Sequence, residues 1–401
     1  MTIARRDFMA GAAAGFALTA GLHRAAFAAA PTDQRFVVVL LRGAMDGLAA
    51  APPYGDPNYA AKRGGLAINP PGQDGGVIAL DQTFGLHPAL APLAPYYKSG
   101  DLMLVPATGN GYDTRSHFDA QDLMESGLAV KTRASDGWLN RALSVLRGAN
   151  GRTGLAVGGA VPLILRGKMA VASWEPDKLP QPSPDFIVAL RGLYRHDAVL
   201  GPALERGLAA QGFSDQVLGA DASMSIKGAY GPNGFAPLAE VTGKLLAADD
   251  GPRIAALDML GWDTHVNQGA ATGRLAQNLA GLAAGLDAMA KAMGPNWKRT
   301  VAVCVTEFGR TVAPNGNNGT DHGTASAMLV MGGAVRGGRV NGDWPGLAQL
   351  QDDRDLRVAT DSRSVMKGIL RDHLGIDASA LGTKIFPGTA ALPALNGLVR
   401  A

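Results

Sequence analysis

Hydrophobic positions along the chain follow two rhythms. Apolar runs occur at Phe36–Leu41 (FVVVLL), Leu102–Pro106, Val301–Val305 and Ala327–Met331, and Ile254–Leu260 is a fifth, interrupted only by Asp258. Runs of this length without polar alternation predict strands buried on both faces. Between them the apolar residues recur at helical spacing. Helices are predicted over His87–Tyr97, from Ser116 to about Gly127, and over Trp138–Arg147, Ala198–Gln211, Arg274–Met293 and Ser364–Leu374. The clearest is Arg274–Met293, where Leu275, Leu279, Leu282 and Leu286 share one face. Strands alternating with helices imply an α/β class: a mostly parallel central sheet with helices on both faces.

The polar stretches set the organisation. Residues 29–34 read as a linker, and 51–76, rich in Pro, Gly and Tyr, as a long surface loop. The prolines of Trp174–Phe186 (WEPDKLPQPSPDF) forbid regular structure, which suggests a loop covering a site. No internal repeat is evident. The expected arrangement is one α/β domain over 29–401, with helical and loop insertions at about 133–250.

The N-terminus has its own pattern. Arg5-Arg6 precedes a mildly apolar run from Met9 to Leu22, and Ala26-Phe27-Ala28 offers a small-x-small cleavage site. Residues 1–28 thus read as a twin-arginine (Tat) signal, with the Tat translocon as partner during export and a periplasmic or secreted destination. The run is too short to span a bilayer comfortably, and no later segment is apolar enough, so no stable membrane span is expected after cleavage. Formal charge is +3, and the first 28 residues hold three arginines and one aspartate, which leaves the mature chain near +1. That balance, without a basic patch interleaved with aromatics, argues against nucleic acid. The single cysteine, Cys304, excludes an internal disulfide and lies inside an apolar run as a buried strand residue.

Candidate chemistry gathers where strands stop. Asp46 follows the first strand, Thr114-Arg115-Ser116-His117 the second, Asp263 and His265 the third, and Glu307 the fourth, with Asp321-His322 shortly after. In an open α/β sheet the carboxyl ends of strands share one edge, so residues far apart in sequence can form one pocket. Carboxylates and imidazoles together suit divalent ions. Asp46, Asp263, His265, Glu307, Asp321 and His322 are candidate ligands for one or two of them, Zn, Mn, Mg or Ca. Each has a plainer role available: Asp46 in a turn before Gly47, Asp263 as a helix cap, Glu307 paired with Arg310. Ser116 opens a helix and is either the nucleophile or an ordinary N-cap with Asp119 at N3; Thr114 is the alternative nucleophile. Arg115 and Arg310 are candidates to hold substrate oxyanions. His87, His196 and His373 read as helix or surface histidines.

The segments LRGAMDGL, YGDPNY, LHPALAPL, TRSHFDAQDLMESG, GWLNRAL, GWDTHVNQG, TEFGRT and TDHGTASAMLVMGG, in this order, resemble the bacterial Tat-exported domain of unknown function 1501 family. The resemblance spans nearly the whole mature chain. That family is similar in fold to the alkaline phosphatase and sulfatase superfamily, which implies a strand-end carboxylate at Asp46, a nucleophile at Ser116, ligands at Asp263 and His265, an acidic ligand at Glu307 or Asp321, and His322. Two features depart from the superfamily pattern. Asp-His does not stand directly at the late strand end, where Glu307-Phe308-Gly309-Arg310 sits instead. The sulfatase signature is absent, since His117, Phe118, Asp119 and Ala120 follow Ser116. The resemblance therefore implies an exported metal-dependent hydrolase of phosphate esters or related small anionic esters. The alternative is a non-catalytic binding or assembly protein on the same scaffold.

Overall fold

The computed structural model describes residues 32–131, 133–176, 182–219 and 226–400. The expected signal, 1–28, and residues 177–181 of the proline-rich loop lie outside the described residues. The chain divides into two compact units, and Pro31–Pro176 with Ile226–Ala401 forms the larger.

The strands of the larger unit are β1 (Arg35–Arg42), β2 (Ile78–Ala79), β3 (Gly85–Leu86), β4 (Leu102–Gly109), β5 (Gly154–Val157), β6 (Ala172–Trp174), β7 (Ile254–Leu260), β8 (Thr300–Val305), β9 (Ser326–Met331), β10 (Arg339–Val340) and β11 (Thr360–Asp361). β2 and β3 form a separate hairpin. The others make one sheet in the order β10-β4-β9-β8-β1-β7-β5-β6, with β11 also pairing β4. The five long apolar runs are the central strands. β1 lies between β7 and β8, with Phe36 level with Ile254 and Val301. Short β5 and β6, the latter partly exposed, carried too little apolar sequence to register as strands.

Every pairing in this sheet is parallel except those of β9, which runs antiparallel to both β4 and β8. In β4, Pro106 has no N–H for the ladder, and the register shifts between Val105 and Thr108 around Ala107, whose φ is 49°. Cys304 sits in β8, where burial pushes its thiol up to about 12.

The helices of this unit are α1 (Gly47–Ala50), α2 (Tyr59–Arg63), α3 (Ala94–Ser99), α4 (His117–Ser126) and α5 (Trp138–Val145) before the smaller unit. The smaller unit has α6 (Pro184–Tyr194) and α7 (Leu200–Leu218), linked by an Arg191–Glu205 fork at 2.7 and 2.9 Å. The larger unit resumes with α8 (Phe235–Ala247), α9 (Arg274–Met293), α10 (Ser362–Asp372) and α11 (Ala378–Ala380). In α9 the four stripe leucines are all fully buried, each contributing roughly 1.5–3 kcal/mol of apolar burial. The stretch predicted as one helix from His87 is a 3-10 turn over Pro88–Leu93 capped by His87, then α3, because Pro92 and Pro95 interrupt the bonding ladder. The expected long loop over 51–76 contains α2, whose Arg63 is fully buried. Among the described residues no helix is long and apolar enough to cross a membrane.

Candidate metal centre

Four loops and the amino end of α4 meet at the carboxyl edge of the sheet. β1, β7 and β8 deliver residues 43–47, 261–265 and 306–310 to it. β9 brings its amino end there because it runs antiparallel, and Asp321-His322 just precede it. An isolated bridge between Arg310 and His322 ties this approach to the segment after β8. Gly309 makes the close passage possible, since a Cβ there would stand 1.7 Å from the Ala325 carbonyl oxygen. Gly43, at φ +118°, does the same beside β7, where a Cβ would meet the Asp263 nitrogen at 2.6 Å.

Three imidazoles converge on Asp263. His265 Nε2 lies 3.1 Å and His322 Nε2 3.5 Å from Asp263 Oδ1, and His117 Nε2 is 3.7 Å from Oδ2. Among the described residues, His117, Asp263 and His322 are the group whose ligand atoms all lie within 4.8 Å of one another. Phe308, almost fully buried, stacks on His117 at 5.0 Å and tilts against His322 at 5.1 Å, which gives the cluster an apolar wall.

The other nitrogen of each ring is anchored. His322 Nδ1 donates to the Arg115 carbonyl at 2.9 Å, His117 Nδ1 to Glu307 Oε1 at 2.8 Å, and His265 Nδ1 to Asp321 Oδ1 at 3.2 Å. A carbonyl or an ionised carboxylate can only accept, so each Nδ1 carries a proton, and the Nε2 of each ring is the atom left to face inward. The carboxylates are held ionised. Burial pushes Glu307 up, but hydrogen bonds from His117, Gln121 and the Gly43 N–H outweigh it and leave the carboxyl below its usual range. The Asn315 amide, with His265, holds Asp321 below its usual range despite a counteracting desolvation. Asp263 is also lowered: partial burial is overcome by the Arg310 hydrogen bond and charge and by His265 and His117. Burial pushes His322 down toward its neutral form, against the hydrogen bond to the Arg115 carbonyl.

Two observations test whether this donor set suits a cation. His265 Nε2 and His322 Nε2 face each other at 2.9 Å, a distance that needs a proton or a metal ion between two lone pairs. His117 Nε2 is buried without a hydrogen-bond partner, a costly state for a polar atom that nothing fills. Imidazoles whose far nitrogens are tied to carboxylates or a carbonyl are the usual setting of a zinc-type ion, and the residues fit it.

The remaining expected residues are placed differently. Glu307 does not reach the convergent point; four donors, Gly43, His117, Gln121 and Thr306, surround its carboxylate. Arg310 is buried and donates to the carbonyls of Gly43, Ala44, Trp262 and Thr320 and to Asp263. Its guanidinium clamps three loops and orients Asp263. Arg115 stands at φ 59° and pairs with Asp355 and Asp352, so what it turns to the cluster is its carbonyl. Asp46 caps α1 through Leu48 and Ala49 N–H and takes Arg63 at 2.5 Å and Gln268 at 2.7 Å. Ser116 occupies the N-cap position of α4, but its hydroxyl makes no cap bond, and Asp119 pairs instead with Tyr112 and Lys131.

Residues 33–382 match the family described as Protein of unknown function (DUF1501). The chain belongs to that family. No curated protein matches it significantly. Three solved structures are similar in fold to this DUF1501 chain. The C-terminal periplasmic domain of EcEptC from Escherichia coli, in complex with Zn, is 9% identical, with 77% of this chain and 75% of that one covered and a TM-score of 0.35. The phosphonate monoester hydrolase of Agrobacterium radiobacter is 12% identical over 86% and 74%, at 0.37. The PsFucS1 sulfatase from Pseudoalteromonas sp. is 14% identical over 100% and 78%, at 0.38. None reaches a TM-score of 0.5, so the chemistry of this DUF1501 site rests on its own residues.

Of the six candidate ligands, Asp263, His265 and His322 converge, Glu307 and Asp321 stand behind histidines, and Asp46 lies apart. His117 is the ligand candidate that sequence reasoning passed over. Its signal was present, a histidine in a polar cluster after a strand, but Ser116 beside it drew the chemical interpretation. Of the other histidines, His87 and His373 are buried at helix ends, bonded to the Ala270 and Arg35 carbonyls, and His196 is exposed.

Proposed function

We propose that this protein is an exported hydrolase of phosphate esters or related small anionic esters, dependent on one divalent ion held by His117, Asp263, His322 and His265. The convergence of the three Nε2 atoms on Asp263 carries the reading. Such an ion supplies Lewis acidity toward an ester oxygen. Glu307, Asp321 and the Arg115 carbonyl fix the tautomer and tilt of the three rings. Arg310 fixes Asp263, and Phe308 excludes water from one side. Ser116, with a hydroxyl free of the cap and a place at the opening of α4, is the nucleophile; the helix amino end favours the negative charge that gathers there.

A second reading, a metal-binding scaffold without turnover, is favoured by one observation. The guanidiniums of Arg115 and Arg310 are both engaged by protein acceptors rather than free to hold an oxyanion. Turnover decides between the two. Zinc- or manganese-loaded protein is expected to hydrolyse a member of a panel of phosphate, phosphonate and sulfate esters, and Asp263→Ala to lose that activity. Bound metal with no turnover on any ester would favour the scaffold.

A further inference from the structure

In the larger unit only four large apolar side chains are exposed among the described residues: Phe118 (85%), Val130 (67%), Val266 (50%) and Leu260 (45%). A scattered exposed leucine or valine is ordinary. These four are not scattered. Phe118 follows His117, Val266 follows His265, and Leu260 ends β7 three residues before Asp263. Val130 precedes Lys131, whose ammonium pairs at 2.5 Å with Asp119 in the first turn of α4, so that segment is tied beside Phe118. A unit that buries its other large apolar side chains, wholly or in part, thus leaves these four bare on the segments that carry, or are tied to, the polar ligands. Exposed apolar surface concentrated in this way marks a binding surface.

The occupant must have an anionic head for the cluster and an apolar body for its rim. We propose that the site takes anionic esters whose alcohol arm is aromatic or branched aliphatic, with Phe118 and Val266 as its specificity-determining contacts. The inference rests on the reading of the cluster as a metal-held ester site. With Arg115 and Arg310 committed elsewhere, apolar contact is the chain's main means of distinguishing one anionic ester from another. Remote binding of this kind is what holds a substrate's reacting bond in place.

The test is calorimetric titration of phenylphosphonate and methylphosphonate into zinc-loaded protein, wild type and Phe118→Ser/Val266→Ser. Both replaced residues are exposed, so the variant keeps its fold. The wild type is expected to prefer the phenyl compound by at least about tenfold, from burial of one ring face against Phe118, and the variant to bring the ratio toward one. Equal binding of the two anions by wild type would overturn the proposal and leave the ester-site reading standing. Binding of neither would overturn both. If sedimentation shows that the wild type dimerises or pellets with phospholipid vesicles and the variant does neither, the rim serves another copy or a membrane, and the proposal falls.

Discussion

Replacing Glu307 in two ways separates charge from scaffolding. Its carboxylate is almost fully buried. Oε1 accepts from the Gly43 N–H at 2.9 Å, His117 Nδ1 at 2.8 Å and Gln121 Nε2 at 3.0 Å, while Oε2 meets Thr306 Oγ1 at 2.9 Å. In Glu307→Gln, an amide oxygen at the Oε1 position keeps the first three bonds. The amide nitrogen then points at Thr306 Oγ1, which can accept it while donating to the Leu41 carbonyl 2.7 Å away. No donor is stranded, so the stability cost is about 1 kcal/mol. What disappears is the negative charge behind His117, and loss of such a partner lowers metal affinity about 10- to 100-fold. Glu307→Ala instead strands three partly buried donors and opens a cavity. At about 1–3 kcal/mol per stranded group, the variant should be destabilised by roughly 4–6 kcal/mol. Urea denaturation of the metal-free proteins gives the stability arm, and competition with a chelator of known affinity gives the metal arm. A Glu307→Gln protein that binds metal as tightly as wild type would refute the role assigned to the carboxylate.

Other perturbations read other parts of the structure. Arg63→Met leaves the Asp46 carboxylate buried without its ion pair, and urea midpoints should report a loss of about 3–5 kcal/mol. Asp46→Asn should still bind its metal ion by elemental analysis; loss of the ion would return Asp46 to the ligand set. His373, buried at the end of α10, donates to the Arg35 carbonyl at 2.8 Å, and burial lowers it to about 4. Because the unfolded chain takes up this proton near pH 6.5 and the folded chain only near 4, the neutral ring's contribution is fully present above pH 6.5 and is lost as pH falls toward 4. The loss approaches roughly 3 kcal/mol at about 1.4 kcal/mol per pH unit. His373→Asn should flatten that part of the pH–stability curve, measured by urea unfolding between pH 7 and 4.5, and an unchanged slope would remove His373 as its source.

The five central strands were legible because a strand buried on both faces leaves a mostly apolar run, and α9 because its leucines, Leu275 to Leu286, keep one face over about three turns. The direction of β9 was not legible. Apolar composition is the same whichever way a strand runs, yet the antiparallel course of β9 is what brings Asp321 and His322 to the ligand edge. The arrival of Asp263 and His265 at that edge followed from strand-end position. The division between atoms that face the cluster and atoms that support them did not, because Glu307 and Asp263 look alike in sequence. Only the donors around Glu307, and the single arginine turned onto Asp263, tell them apart. Arg115 and Arg310 show the same limit: a guanidinium near a site reads as an anion holder until the carbonyls and carboxylates around it are known.

His117 is the sharpest point of the account, because its Nε2 is buried with no partner and its Nδ1 is fixed by Glu307. The most direct measurement is elemental analysis of wild-type protein and His117→Ala, expressed and purified without chelator. One transition-metal ion per chain in the wild type, lost or greatly reduced in His117→Ala, is the result the account predicts. A wild type with no stoichiometric metal, or a variant that keeps all of it, would contradict the account.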